Sequence, residues 1–170
     1  MSEIKPLIDH GHLHFGENKV QEALEKWTEP KNAFKGIKLH MIGKLQTNKV
    51  KFVIPLFDYI HSLDNLRLAQ KISTEQKKLN KKLKIFIQVN IGNEDQKSGI
   101  NQDEVISFYQ KCIDDFNLDI VGLMCIPPFK ERKNEYFSLM NELNKSIGLE
   151  ELSMGMSSDY LEAVSHGDTY

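Results

Sequence analysis

The sequence predicts an α/β fold built on a parallel sheet whose faces are covered by helices. Short apolar runs alternate with amphipathic stretches, giving six strand–helix units in strict alternation. Such alternation is typical of parallel sheets, because each crossover helix returns the chain to the edge where the next strand begins. No linker, composition break or internal repeat interrupts the 170 residues, so a single domain is predicted.

Strands are predicted where apolar residues run consecutively between glycines, prolines or polar residues. In chain order the predicted strands are His14–Gly16, Ile37–Ile42, Tyr59–Leu63, Lys84–Asn90, Leu118–Ile126 and Leu152–Met156. The fourth, KIFIQVN, is rich in β-branched residues, as expected for a strand that is covered on both faces.

Helices are predicted where apolar residues recur at helical spacing. The first three predicted helical stretches are Pro6–Gly11, Glu17–Trp27 and a short piece at Lys49–Phe57. Three further helices are marked by their apolar faces: Leu68, Ile72 and Leu79; Val105, Phe108, Tyr109 and Cys112; and Tyr136, Met140, Leu143 and Ile147. The last predicted helix ends at Val164. Three of these helices are expected to begin at polar caps, namely Asp64, Asn101 (with Glu104) and Ser157 or Ser158.

Two architectures fit this alternation, an open doubly wound sheet and a (β/α)₈ barrel. The chain contains neither a G-x-G-x-x-G loop nor a Walker A loop, which weakens the case for a nucleotide-binding open sheet. Six units fall short of a complete barrel, and 170 residues lie below the ~200 that this fold usually needs. Both architectures remain open on these grounds.

Composition excludes several functional classes. The net charge of −2 does not provide the positive field of a nucleic-acid binder, and no apolar run is long enough to predict a membrane span. Two cysteines make no disulfide framework, and the first residues lack the apolar core of a signal peptide, so we expect a cytoplasmic protein. Only 2 of the 22 basic residues are arginines, so a phosphate site is expected to use backbone N–H groups and hydroxyls.

The carboxyl ends of the predicted strands offer amides, hydroxyls and an imidazole, and Glu17 is the one carboxylate among them. The segment from Ser153 to Ser158 ends a strand and begins a helix, which is the setting of many anion sites but also of ordinary serine caps. Asn18 either directs its amide to a ligand or caps the next helix. Lys97 could be a nucleophilic amine, although a solvated ion pair is the simpler interpretation.

The alternating histidines His10, His12 and His14 would share one face if extended, as in some metal-dependent hydrolases. Such a site needs further ligands from later strands, and a carboxylate is missing at a matching strand end. A helix ending near His10 explains that residue through the helix dipole. No metal site is therefore predicted.

Six segments resemble one known family when taken together and in order. They are HFGENKVQEALEKW, LHMIGKLQTNK, IHSLDN, IQVNIGNEDQKSG, GLMCIPP and LSMGMSSDY. The patterns FGEN-x-VQE, IG-x-LQ-x-NK and SMGMS-x-D are specific at that spacing. From Pro6 to Tyr170 the chain is similar to the pyridoxal phosphate homeostasis proteins, also described as alanine-racemase N-terminal-domain-like or proline-synthase co-transcribed proteins.

This resemblance implies a (β/α)₈ TIM barrel of PLP fold-type III, which carries pyridoxal 5′-phosphate (PLP) on a lysine at the end of its first strand. By this alignment the six strands would be barrel strands 2 to 7. Residues 1–170 would then form a single, incomplete PLP-binding barrel domain, truncated at both ends and lacking strand 1 and strand 8. No residue matches the lysine, since Lys5 lies past the strand end.

The resemblance also implies which residues contact the cofactor. Carried over position by position, Ser157 would contact the phosphate with Met156 beside it, Asn18 would face the cofactor, and Ile42, His61 and Ser62 would line the pocket. No catalytic residue and no metal ligand is implied.

The implied function is that of a non-catalytic PLP carrier in intracellular PLP and vitamin B6 homeostasis, monomeric, with PLP-dependent apoenzymes as recipients. The alternative from the enzyme class is a PLP-dependent amino-acid racemase. A racemase needs acid–base groups on both faces of the substrate carbon, and the sequence suggests a candidate on one face alone. A hydrolase that uses His12 and His14 with a metal ion is the third, weakest alternative.

Overall fold

In the computed structural model, a six-stranded parallel sheet curls into a half-barrel. The structure describes residues 2–94, 96–128 and 133–170. The six strands lie side by side in chain order, and every neighbouring pair is parallel. A doubly wound sheet reverses its strand order at a switch point, whereas a barrel adds each strand to the same side. Of the two architectures that the sequence leaves open, the structure therefore has the barrel type.

All six predicted strands are present, with ends that shift by a few residues. The strands are β1 (His14–Glu17), β2 (Lys38–Met41), β3 (Tyr59–Leu63), β4 (Lys84–Val89), β5 (Asp119–Cys125) and β6 (Glu151–Ser153). The largest difference is in β6, which was expected to continue to Met156. It ends early because the Asp168 carboxylate accepts hydrogen bonds from the backbone N–H groups of Met154 and Gly155, at 2.8 and 3.2 Å.

The helices cover the outer face of the sheet and lie in or close to the predicted stretches. The second differs most, because it begins at Val20 and not at Glu17, which belongs to a strand, and it continues past Trp27 to Ala33. They are α1 (Lys5–Asp9), α2 (Val20–Ala33), α3 (Val50–Leu56), α4 (Leu66–Leu79), α5 (Val105–Asp114), α6 (Lys133–Ser146) and α7 (Tyr160–Ser165). The α3 helix continues through Pro55, which the sequence had treated as an interruption. No helix in the described ranges is both long enough and apolar enough to cross a lipid bilayer.

The predicted helix caps were wrong in detail. Asn65, not Asp64, caps α4, because its side-chain oxygen accepts a hydrogen bond from the backbone N–H of Leu68 at 2.8 Å. Asp64 instead accepts from the Asn65 amide at 2.7 Å. The residue before α7 is Asp159, so neither Ser157 nor Ser158 takes the predicted capping position.

Asn101 also fails as a side-chain cap, because a short 3₁₀ turn over Gln102–Glu104 separates it from α5. Its amide donates to the Glu104 carboxylate at 3.1 Å, without reaching the backbone N–H groups of the helix. On α4, Leu79 is half exposed and does not belong to the buried face that Leu68 and Ile72 form. That face continues instead through the polar residues Ser73 and Gln76, which hydrogen-bond to neighbouring backbone.

The core lies between the outer face of the sheet and the helices. Its largest fully buried side chains include Trp27, Phe57 and Phe137. Glu17 belongs to this layer, because its carboxylate accepts hydrogen bonds from the Trp27 indole at 2.7 Å and the Lys26 ammonium at 2.6 Å. The Glu17 carboxylate, which was predicted at the carboxyl ends of the strands, therefore faces helix α2. A second, smaller cluster of Tyr59, Phe86 and Met124 fills the inner face of the half-barrel.

Candidate functional site

A cavity of about 850 Å³ opens at the carboxyl ends of the strands, inside the half-barrel. This is the edge at which parallel α/β folds place their functional residues. Its walls come from the inner faces of β1, β2, β3, β5 and β6 and from the loop that follows β6. The polar or aromatic side chains that line it are His14, Phe15, Asn18, His40, His61, Glu151, Ser153, Thr169 and Tyr170.

Three histidines and a serine form a continuous hydrogen-bonded chain across this wall. The Nδ1 atom of His14 lies 2.9 Å from Nε2 of His40, and Nδ1 of His40 lies 2.9 Å from Nε2 of His61. The Nδ1 atom of His61 then lies 2.9 Å from Oγ of Ser153. The chain thus runs from β1 through β2 and β3 to β6, and its last link crosses the inside of the curled sheet.

Aromatic rings pack against the interior histidines. The His40 ring stacks on Tyr59 with centroids 4.1 Å apart, and the His61 ring stacks on Phe86 with centroids 4.3 Å apart. The Tyr170 ring contacts both histidines, and its hydroxyl lies 3.3 Å from the Tyr59 hydroxyl. These contacts give the cavity a floor of flat, polarisable rings.

Burial keeps the interior imidazoles neutral. His40 and His61 are 4% and 1% exposed, and desolvation lowers their pKa values to about 4 and about 3. The positive charge of a protonated His14 also lowers the pKa of His40. In the same way, the positive charge of a protonated His40 lowers the pKa of His61. At neutral pH each ring therefore has one N–H group and one bare nitrogen, so each can donate one hydrogen bond and accept another.

Two aspartates hold the loop between β6 and α7. Asp168 accepts from the N–H groups of Met154 and Gly155, and Asp159 accepts from the N–H group of Met156 at 2.7 Å. Asp159 also pairs with Lys133 at 2.5 Å, and this ammonium helps to lower its pKa. The first three N–H groups of the loop are therefore already engaged.

Four of the six predicted cofactor-binding residues line the cavity, namely Asn18, Ile42, His61 and Met156. Ser62 does not, because it follows His61 in β3 and successive strand side chains point to opposite faces. Its hydroxyl is buried and makes no hydrogen bond within the described part of the chain. Ser157 is exposed near the rim and is not one of the described residues that line the cavity. The roles of all six residues stay predictions.

Asn18 lies at the boundary between the large cavity and a second one of about 370 Å³, and it lines both. Its position is not that of a helix cap, since Lys19 precedes α2. Gly43 fixes this arrangement, because a Cβ atom there would lie 2.2 Å from the Asn18 carbonyl oxygen. The side-chain amide is thus left available to a ligand, as the functional interpretation of the sequence requires.

No lysine is found among the described residues that line the large cavity. Lys44 and Lys97 line the smaller one. Lys97 forms an ion pair with Glu94 at 2.6 Å, which confirms the simpler of its two interpretations, while the neighbouring Asp95 lies outside the described residues.

The histidine triplet near the start of the chain does not share one face. His14 enters the hydrogen-bonded chain, while the His12 ring packs edge-on against Phe15 and His10 follows the end of α1. Across the described ranges, no three histidine, cysteine or acidic side chains are grouped closely enough to hold a metal ion.

Sequence reasoning missed His40 and Ser153 as partners of His61. A usable signal was present, because β1, β2 and β3 each carry one histidine, in HFGE, KLHM and YIHSL. Alternation in neighbouring strands would have placed these side chains on one face. The contact with Ser153 had no such signal, since it joins residues 92 positions apart through the curl of the sheet.

Comparison with known proteins places this cavity in context. A family model described as "Alanine racemase, N-terminal domain" matches residues 2–170. The pyridoxal phosphate homeostasis protein of Aquifex aeolicus is 36% identical over 98% of this chain and 76% of its own length. The solved structure of PipY from Synechococcus elongatus, with PLP bound, has a TM-score of 0.89 at 30% identity, covering 99% of this chain and 82% of that one.

A more distant similarity concerns the fold alone. The alanine racemase of Clostridium difficile has a TM-score of 0.73 at 14% identity, covering 93% of this chain and 42% of that one. The curled parallel sheet described above therefore also occurs in a much longer chain of low sequence identity.

Proposed function

The chain belongs to the pyridoxal phosphate homeostasis protein family, and we propose on that basis, together with the geometry of the cavity, that it binds PLP and acts in PLP and vitamin B6 homeostasis. Family relatives carry this function in their names, and the PipY structure contains PLP. When bound, PLP supplies an aldehyde that reacts reversibly with amines. The observation that carries the proposal is the cavity of about 850 Å³ with an aromatic and imidazole floor.

The donor set of the cavity fits a flat heteroaromatic ligand. The rings of His61 and Tyr170 and the side chain of Met156 offer apolar, polarisable surface to the faces of a pyridine ring. The Asn18 amide can both donate to and accept from a ring substituent. Both nitrogens of His40 and of His61 are already hydrogen-bonded, so the polar contact from this wall comes from the Ser153 hydroxyl, which can donate to a ring nitrogen or accept from a hydroxyl. Ile42 covers the side of the cavity next to Asn18.

We place the phosphate near Ser157, at the rim. Ser157 and Ser158 are exposed, and neither of their backbone N–H groups is hydrogen-bonded within the described residues. The carboxylate of Asp159 would repel a phosphate, but Lys133 at 2.5 Å offsets its charge. Ser62 supports the pocket in this proposal from the layer behind His61.

We further propose that the six strands correspond to strands 2 to 7 of an eight-stranded barrel. The sequential, all-parallel strand order supports this assignment, as does the match to 76–82% of the length of the homologous chains. In such a barrel, β1 and β6 would each pair with a further strand, and the cavity would be closed on the side of Tyr170.

The protein acts, in this proposal, as a non-catalytic, monomeric carrier in the cytoplasm that passes PLP to PLP-dependent apoenzymes. The names of the relatives refer to homeostasis and not to a reaction. The racemase alternative requires proton-transfer groups on both faces of the substrate carbon. It predicts measurable racemisation of L-alanine in the presence of PLP, whereas the carrier predicts none.

Titration with PLP tests the proposal. Binding is followed through the quenching of Trp27 fluorescence and through the PLP absorbance band, with pyridoxal, which lacks the phosphate, as the matched ligand. We expect saturable binding of one PLP per chain and weaker binding of pyridoxal. Non-saturating uptake, or equal affinity for both ligands, would contradict the proposed site. Asn18→Ala is expected to weaken PLP binding, because it removes the amide at the cavity wall.

A further inference from the structure

The hydrogen-bonded chain of His14, His40, His61 and Ser153 has a property that ligand binding alone does not require. Each imidazole is linked through both of its nitrogens, except His14, whose Nε2 makes no hydrogen bond to any residue that the structure describes. The two ends of this hydrogen-bonded chain differ in their exposure to solvent. His14 is exposed to solvent, while Ser153 is only partly exposed and lines the cavity from the opposite wall.

We propose that His14, His40, His61 and Ser153 form a proton relay, which exchanges a proton between solvent at His14 and a ligand beside Ser153. The relay lets a bound ligand gain or lose a proton without direct access to water. It makes these residues proton-transfer groups for any ligand of this cavity that presents an anionic oxygen or a heteroaromatic nitrogen near Ser153.

The geometry permits two directions of hydrogen bonding. In the first, every Nδ1 carries the proton, so that His14 donates to His40, His40 donates to His61, and His61 donates to the Ser153 oxygen. The Ser153 O–H is then free to donate into the cavity. In the second, Ser153 donates to Nδ1 of His61, and every Nε2 carries the proton. All three links are 2.9 Å long, so neither direction is favoured by the distances.

One passage of a proton interconverts the two directions. His14 Nε2 takes a proton from water, and its Nδ1 proton passes to His40 Nε2. The Nδ1 proton of His40 passes to His61 Nε2, and the Nδ1 proton of His61 passes to the Ser153 oxygen, whose own proton goes to the ligand. Within the relay, three N–H bonds and one O–H bond form while the same number break. Outside it, one O–H bond of water breaks and one bond between the proton and the ligand forms, so the net result is one proton moved from water to the ligand.

The surroundings keep the two central rings neutral between passages, because burial of His40 and His61 disfavours an imidazolium. Several ionisable groups lie around the relay. Tyr59 and Tyr170 contact its rings, and Glu151 on β6 pairs with Lys84 on β4 at 3.2 Å. Asp58 and Lys31 act on His40 from a distance and pair with each other at 2.5 Å. At His40 the effects of one of these pairs on the pKa oppose each other, since Asp58 raises the pKa and Lys31 lowers it.

The decisive measurement identifies the protonated nitrogen of each imidazole. Long-range ¹H–¹⁵N spectra of the whole chain with ¹⁵N-labelled histidine distinguish a bare ring nitrogen from an N–H nitrogen. For the unliganded protein at pH 7 we expect His14, His40 and His61 to share one pattern, in which both nitrogens of each ring have intermediate shifts because the two directions exchange.

Ser153→Ala tests whether the rings are coupled. Without the hydroxyl, a proton on His61 Nδ1 would have no acceptor, so all three rings are expected to hold their proton on Nε2, including His14 at the far end. Ser153→Thr keeps a hydroxyl and should restore the wild-type pattern. Ser165→Ala is the matched control, because Ser165 lies 3.1 Å from Nδ1 of His166 outside the relay, and only His166 should respond.

The outcomes separate the relay from a merely structural hydrogen-bond chain. The proposal is wrong if Ser153→Ala changes His61 alone and leaves His14 unaltered. It is also wrong if, in the wild type, one of the three rings holds its proton on Nδ1 while another holds it on Nε2. A urea melt confirms that the variant is folded. Addition of PLP should move the three rings toward the Nδ1-protonated pattern. Since the Ser153→Ala result is obtained without ligand, failure of PLP to bind would contradict the proposed function and not the relay.

Discussion

The hydroxyl oxygen of Ser153, on the last strand, lies 2.9 Å from Nδ1 of His61, on the third strand. Two strands, β4 and β5, separate them in the sheet. In a flat sheet, strands three places apart are about 14 Å from each other, because neighbouring strands are spaced by ~4.7–4.9 Å. Their contact therefore measures the curl of the sheet, and it is the curl that turns strand-end side chains into a cavity.

The buried histidines predict acid sensitivity of the fold. The pKa values of His40 and His61 are lowered to about 4 and about 3, so the unfolded chain binds protons that the folded chain does not. Their contribution to stability is complete above pH ~6.5 and is lost as the pH falls toward the folded-state values. We expect the free energy of unfolding to be roughly 2–4 kcal/mol lower at pH 5 than at pH 7.

Urea denaturation at the two pH values measures this difference. His61→Phe should reduce the pH dependence, because phenylalanine does not titrate and can stack on Phe86 as the imidazole does. His10→Gln is the control, since His10 is exposed at the end of α1 and is not one of the two buried rings. An unchanged pH dependence in His61→Phe would show that other groups cause it.

The loop after β6 predicts a difference between two replacements of Asp168. Its carboxylate accepts from the N–H groups of Met154 and Gly155, yet burial raises its pKa, so its charge is costly. Asp168→Asn keeps an acceptor for the Met154 N–H but turns an N–H₂ group toward the Gly155 N–H, because the two N–H groups bond to different carboxylate oxygens, and it should therefore cost some stability but less than Asp168→Ala. Asp168→Ala leaves both N–H groups without their acceptor and should cost about 1–3 kcal/mol.

Hydrogen exchange of the Met154 and Gly155 amides measures the local effect, and urea denaturation measures the global one. Faster exchange in Asp168→Ala than in Asp168→Asn is expected. Equal exchange in the two variants would mean that the carboxylate does not hold the loop.

How much the sequence predicts depends on whether an element is determined by local residues. The bounds of β3 were predicted without error, because Asp58 and Asp64 directly flank the segment YIHSL on its two sides. The end of β6 was not predicted correctly, because it depends on Asp168, which lies 14 and 13 residues after the Met154 and Gly155 N–H groups that donate to it. Similarly, Glu17 ends a strand in the sequence, but its side chain faces the Trp27 indole once α2 packs on the sheet.

The candidate site divides in the same way. The strand-end residues Asn18, Ile42 and His61 were predicted and line the cavity. The link between His61 and Ser153 depends on the curl of the whole sheet, which no local pattern specifies.

The absence of lysine from the described lining of the cavity predicts that PLP is held without a covalent bond to one specific residue. Treatment of the PLP-loaded chain with borohydride, followed by peptide mapping, should reveal only low, scattered labelling among its 20 lysines. The same treatment after addition of excess inorganic phosphate serves as the control. A single lysine labelled in stoichiometric amount, for instance Lys44 or Lys97 in the adjoining cavity, would relocate the binding site.

Ser157 and Ser158 offer a matched pair for locating the phosphate. Both are exposed and adjacent in the turn before α7, but the Ser158 hydroxyl lies 3.5 Å from the Lys133 ammonium. In the proposed site, Ser157 donates a hydrogen bond to the phosphate, and a hydrogen bond to a charged group contributes about 1.5–3 kcal/mol. Ser157→Ala should therefore weaken PLP binding by roughly 10- to 150-fold, while Ser158→Ala should weaken it by less than about threefold.

Pyridoxal should bind both variants as it binds the wild type, because it has no phosphate to lose. If Ser157→Ala weakens pyridoxal and PLP equally, the residue shapes the loop and does not bind the phosphate.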